Sequence, residues 1–209
     1  MEVRKIMRNF VPMNNEDPRQ TVDCDNMIII DADFADRVAF DLIVNFERII
    51  GRKIPNADFA RWIDCLALDG GITQGGDHTQ VVLIHSKEKT APDYFTPGMF
   101  KEELDGKAFS DNLGEFAINT VSEENIVSRN QLMADTLRLA TAASEVKRII
   151  VVPDDYNLAD LRSVLRTAND RQHITVMAMQ PVHGNFRQEI LGYSLMSALG
   201  IRSDEIPRE

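Results

Sequence analysis

"KRIIVVPDDYNLADLRSVLR", residues 147–166, carries two periods in succession. Ile149, Ile150, Val151 and Val152 form an unbroken branched apolar run, the pattern of a strand covered on both faces. After Asp154 and Asp155, apolar residues recur at helical spacing (Leu158, Leu161, Val164, Leu165, Ala168), which predicts a helix over 157–170. A buried strand that passes directly into an amphipathic helix is half of a βαβ unit. Its end is unusual, because two adjacent carboxylates repel each other unless something positive stands beside them.

The same grammar recurs on either side of this stretch. "NMIIID" (26–31), "TQVVLIHS" (79–86), "EFAINTV" (115–121) and "HITVMAM" (173–179) read as strands. The segment 34–52 reads as a helix, with Ala39, Leu42, Ile43, Phe46, Ile49 and Ile50 on one face and Gly51 as its stop. A second helix lies within 54–71, capped by Asn56 or Asp58 and ended by Gly70 and Gly71. A third spans 128–146 with Ser128 as its cap, and a closing helix covers 184–201. Apolar strands alternating with amphipathic helices imply a mostly parallel sheet with helices on both faces, hence a Rossmann-like three-layer α/β sandwich. The expected organisation is a polar N-terminal arm (1–26) and one domain (27–209). An irregular insertion at about 87–116 contains one short helix near 97–104.

Composition bounds the function. With 209 residues, 44% hydrophobic and 27% charged, the chain can bury a core of ordinary size. A net charge of −10 opposes non-specific attraction to nucleic acid or anionic membrane. No apolar run approaches the roughly 20 residues that span a bilayer, and the N-terminus has no continuous apolar segment of a secretory signal. Cys24 and Cys65 have neither metal spacing nor a disulfide framework, so a reducing cytoplasm is the expected compartment.

In open parallel sheets, sites lie beyond the carboxyl ends of the strands. Those positions hold Asp31 and Asp33, then His85 and Ser86, then Asp154, Asp155 and Asn157; Asp135 lies on the helix that feeds the last of these strands. Carboxylates delivered by separate segments to one edge raise one another's pKa, and Mg²⁺ or Mn²⁺ relieves that repulsion through oxygen ligands. The competing reading is local, since Asp at a strand end also caps the next helix or turns the chain. No G-x-G-x-x-G, P-loop or G-x-S-x-G motif is present. "DGGITQGGD" (69–77) precedes a strand and reads as a turn, and His78, His85, His173 and His183 lack ligand spacing.

Two segments, "MIIIDADF" (27–34) and "ADTLRLATAASEVKRIIVVPDDYNLADLRSVLR" (134–166), give the chain a resemblance to the NYN branch of the PIN-like nuclease superfamily. The similarity covers most of 27–180. It implies a divalent-metal-dependent ribonuclease or other phosphodiester hydrolase, with RNA as a partner. Asp31, Asp135 and Asp155 would be catalytic, and Asp31, Asp33, Asp135, Asp154 and Asp155 would bind Mg²⁺ or Mn²⁺. Ser86, Asn130 and Asn157 would line the edge. The chain departs from the family pattern at four places. Asp154 takes a glycine position, Asn157 replaces a carboxylate, Phe34 stands where Asn is usual, and the acid expected early in the long helix falls near Arg129 and Asn130.

Two alternatives stay open. One is a catalytically inactive binding or oligomerisation module of the same fold. Its dimer seam would be the stripe Phe186, Ile190, Leu191, Leu195 and Leu199. The other rests on "IIIDADFAD" (28–36), which also resembles the opening motif of haloacid-dehalogenase-type phosphatases, with Ser86, Lys107 and the pair Asp154–Asp155 in supporting roles. Against it, Ala35 and Asp36 replace the usual Thr or Val, and a helical pattern begins by Ala35, where that family places a hairpin.

Overall fold

The computed structural model describes residues 23–206, apart from 74, 76, 157, 169, 170 and 185. The arm thus lies outside the described residues up to Val22, and so does Asn157. Strand β1 (Asn26–Asp31) runs directly into helix α1 (Ala32–Ile50), followed by the two-residue β2 (Ala57–Asp58) and α2 (Phe59–Asp69). Then come β3 (Asp77–His85), the two-residue β4 (Phe95–Thr96), one helical turn (Phe100–Leu104), β5 (Lys107–Asp111) and β6 (Gly114–Ser122). The remainder is α3 (Arg129–Ala142), β7 (Arg148–Val152), α4 (Ala159–Thr167), β8 (His173–Ala178), β9 (Arg187–Ile190) and α5 (Leu191–Ala198).

Seven strands form one sheet in the order β5-β6-β3-β1-β7-β8-β9, and β2 pairs with β4 apart from it. Every neighbouring pair in the large sheet is parallel except β5–β6. Because successive strand residues face opposite sides, Ile28, Ile30, Val81, Leu83, Ile150 and Val152 join the apolar cluster of α1, α2 and α5. Their neighbours Met27, Ile29, Val82, Ile84, Ile149 and Val151 join the cluster of α3 and α4. The expected mostly parallel α/β architecture is therefore present, with helices on both faces.

Three expectations need correction. The 87–116 segment is not an irregular insertion alone. It carries the edge strand β5, which pairs antiparallel with β6, and it sends Phe95, Phe100 and Leu104 into the core. The closing helix is shorter than 184–201, because Arg187–Ile190 pairs with β8 as a parallel edge strand. Finally, most of the proposed dimer seam is core: Leu191, Leu195 and Leu199 are fully enclosed. Among the described residues no helix is long and apolar enough to cross a membrane.

The caps follow local chemistry. Asp31, Asp58 and Ser128 accept N–H bonds from the residue three positions on, opening α1, α2 and α3. Gly51 closes α1 in the left-handed conformation at φ 76°.

Cys24 sits in the α3/α4-side core, and burial pushes its thiol up to about 12. Because only the thiolate is nucleophilic, iodoacetamide at mildly alkaline pH should alkylate the partly exposed Cys65 in the native protein and spare Cys24. Both should react in urea. Peptide mass spectrometry reads the ratio, and equal native labelling would contradict this burial.

Candidate functional site

The chain steps from β1 outward to β3 and β6, then returns to place β7 on the other side of β1. The strand order therefore reverses between β1 and β7, and the crevice beyond their carboxyl ends is where such sheets bind ligands. Four of the predicted residues gather there: Asp31, Asp33, Asp154 and Asp155.

Asp31 is completely buried at the end of β1. Its Oδ1 accepts the Phe34 N–H at 2.9 Å, which caps α1, and its Oδ2 accepts from Arg129 Nε at 3.2 Å. Arg129 Nη1 meanwhile binds Asp33 Oδ2, so one guanidinium, itself mostly buried, bridges both carboxylates. Asp33 Oδ1 also accepts the Ser86 N–H at 3.4 Å. Burial drives the Asp31 carboxyl above its ordinary pKa, Arg129 and the Phe34 N–H oppose this, and nearby Asp33 and Asp154 add to the rise.

Across the switch point, Asp154 Oδ1 accepts from Arg37 Nη2 at 3.2 Å and from the Tyr156 N–H at 3.1 Å. Arg37 lies between two rings, 5.2 Å from the centroid of Phe34 and 5.8 Å from that of Tyr156. Asp155 ties the end of β7 to the end of β8, its Oδ2 accepting the Met179 N–H at 2.9 Å and the Gln180 N–H at 3.1 Å. Burial raises the Asp155 pKa against these two donors. Its Oδ1 is enclosed and has no hydrogen-bond partner among the described residues.

Asp135 does not join the group. On α3 the positions Arg129, Met133, Thr136 and Ala140 share one face at helical spacing, and Asp135 falls beside it. Its Oδ1 binds Gln131 Nε2 at 2.8 Å and Arg138 Nη1, both on its own helix. Asn130 is partly buried in the first turn of α3. Lys107 lies on the outermost strand β5, three strands from β1, or about 14 Å at ordinary strand spacing.

Sequence reasoning missed the cations of this edge. Arg129 was noted only as a departure from the family pattern. Yet an arginine opening the helix after a strand faces the same rim as Asp31, and that placement was readable. The pairing of Lys89 with the buried Asp36 is a second charge contact that the sequence reading did not name. Asp36 falls on the apolar face of α1 between Ala35 and Val38, where a charge needs a partner.

These side chains do not fit a divalent ion as arranged. Mg²⁺ and Mn²⁺ need carboxylate oxygens free to ligate. Here the Asp31 and Asp33 carboxylates share a guanidinium, Asp154 holds another, and Asp155 has one oxygen committed to backbone N–H groups. Among the described residues no group of three or more His, Cys, Asp or Glu is placed to hold a metal.

A mostly parallel α/β domain with an aspartate–arginine cluster at the reversal point of its sheet is the class that fold and site define together. Within that class the chain belongs to a family of unknown function, DUF6621, whose model matches residues 21–206. No curated protein and no solved structure matches it.

Proposed function

We propose that the chain is a PIN/NYN-like domain acting as a binding or assembly module, with an internal arginine in the place of a catalytic cation. The carrying observation is Arg129, which bridges Asp31 and Asp33 from the start of the helix, near where the resemblance expects an acid. An acid there would add to the negative charge and favour Mg²⁺; an arginine cancels it and fills the space with a planar fork suited to two carboxylates. Tyr156, 83% exposed over Arg37, supports the module reading from the same edge, since Tyr and Arg are enriched in interface cores. The partner is a protein, a second copy of the chain, or RNA.

The metal-dependent phosphodiesterase is the second reading. It draws on the enclosed Oδ1 of Asp155, which has no hydrogen-bond partner among the described residues and can chemically accept one more ligand. It requires Arg129 to leave Asp31 and Asp33. The phosphatase reading is weaker still, because α1 begins at Ala32, directly after β1, and Lys107 lies far along the sheet.

One pair of experiments separates these readings. Titration calorimetry with MgCl₂ and MnCl₂ at millimolar concentration should show no saturable binding, and single-stranded RNA incubated with protein and Mn²⁺ should stay intact. Mn²⁺-dependent cleavage that disappears in Asp155→Asn would overturn the module and establish the hydrolase.

A further inference from the structure

The large sheet ends in two outer strands, β5 and β9, whose charges are arranged differently. On β9, Arg187 Nη2 and Glu189 Oε1 lie 2.7 Å apart and satisfy each other within the strand. On β5, Lys107 and Asp111 stand at opposite ends, with Ala108, Phe109 and Ser110 between them. Among the described residues Lys107 has no salt-bridge partner.

β5 pairs with β6 along one side only, so its other side is an open edge of the sheet. Such an edge presents unpaired N–H and C=O groups that can take a further strand. Four of its five residues are exposed, and Phe109 is partly buried. Phe109 lies against Phe116, directly opposite it on β6, with ring centroids 4.9 Å apart and planes 11° apart.

The segment "KAFSD" is complementary to its own reverse. Two copies laid antiparallel and centred on Phe109 set Lys107 opposite Asp111, Ala108 opposite Ser110, and Phe109 opposite Phe109. A parallel alignment in register sets Lys107 against Lys107, and like charges directly opposite are destabilising. We propose that β5 is the seam of a homodimer, in which two copies of this chain join their sheets edge to edge about a two-fold axis at Phe109. The contact is isologous, so it closes at two copies. Opposed side chains on neighbouring strands stand about 4.5–5.5 Å apart at Cβ, which carries the Phe109–Phe116 stack of one copy into that of the other. Two seven-stranded sheets become one, and the exposed backbone of β5 is covered. The seam lies three strands from β1, so it goes beyond the aspartate–arginine rim and stands or falls separately from it.

Sedimentation velocity of the full chain from ~1 to ~200 µM should show a dimer that grows with concentration. Lys107→Glu alters an exposed side chain, and circular dichroism should find the fold unchanged. It turns two symmetric attractions into repulsions, so dimerisation should weaken roughly tenfold or more. Carbodiimide coupling of a mixture of isotope-labelled and unlabelled protein locates the seam. Lys107 should join Asp111 in peptides with one labelled and one unlabelled half, because within one strand these residues lie about 13 Å apart, too far for a direct amide. A chain that stays monomeric throughout, a dimer that Lys107→Glu leaves intact, or mixed-isotope links that never join Lys107 to Asp111 would overturn the pairing.

Discussion

Replacing Asp36 with Ala is expected to destabilise the protein by about 3–5 kcal/mol, the cost of breaking a buried ion pair from one side. Asp36 is 2% exposed on the core face of α1. Its Oδ2 accepts from Lys89 Nζ at 2.8 Å and its Oδ1 from the Tyr94 N–H at 2.9 Å. These two bonds staple the 87–94 segment to the helix, from which Phe95, Phe100 and Leu104 can reach the core. Removing the carboxylate leaves an ammonium partly buried without its partner and an amide without its acceptor, the second alone costing about 1–3 kcal/mol. The melting temperature should drop by roughly 6–20 °C, and proteases should cut within 87–106. Asp36→Asn should fall between, since the amide keeps the Tyr94 bond but not the charge. The double change Asp36→Leu with Lys89→Met should recover only the part of the loss due to the stranded ammonium, because an apolar pair carries no desolvation cost while the Tyr94 N–H still lacks its acceptor. A urea titration showing less than about 1 kcal/mol for Asp36→Ala would mean the pair does not hold the segment.

The parallel core was legible because its strands are fully covered and therefore unbroken in apolar sequence. "MIIID" and "RIIVV" permit almost no other reading, and both lie at the centre of the sheet. The edges were not legible for the converse reason. In β5, "KAFSD" is largely exposed, and in β9, "RQEI" shows little of a one-sided strand pattern, so neither carries a hydrophobic signal. Ile190 extends the helical spacing of Leu191, Leu195 and Leu199 backwards, and hydrogen bonding to β8 overrides that local pattern. At the site, the gathering of Asp31, Asp33, Asp154 and Asp155 followed from strand direction alone. Their neutralisation did not, because Arg37 and Arg129 lie 117 and 98 residues from the aspartates they meet. Asp135 was a failure of phase. It shares a helix with Arg129 but sits off the face that turns toward β1.

Arg129→Ala should cost about 3–5 kcal/mol near pH 7 and should expose what the arginine does. Without it, Asp31 is a fully buried anion whose strongest opposing charge is gone, and Asp33 loses the same partner. The burial that already raises the Asp31 pKa would then act unopposed by Arg129, so the carboxyl would take up a proton more readily. A protonated Asp31 needs no counter-charge. The gap between native protein and variant should therefore be widest at neutral pH and shrink as pH falls, which denaturant titrations at several pH values can follow. Arg129→Lys should recover only part of the loss, because a point charge cannot bridge two carboxylates as a planar fork does. The variant also gives the site its sharpest chemical test. If Arg129 fills the role of a cation, Mn²⁺ should raise the melting temperature of Arg129→Ala and leave that of the native protein unchanged, since a ligand stabilises only the form it binds. A native protein that responds to Mn²⁺ as strongly as the variant would show that the guanidinium is displaced by metal, and the hydrolase reading would take its place.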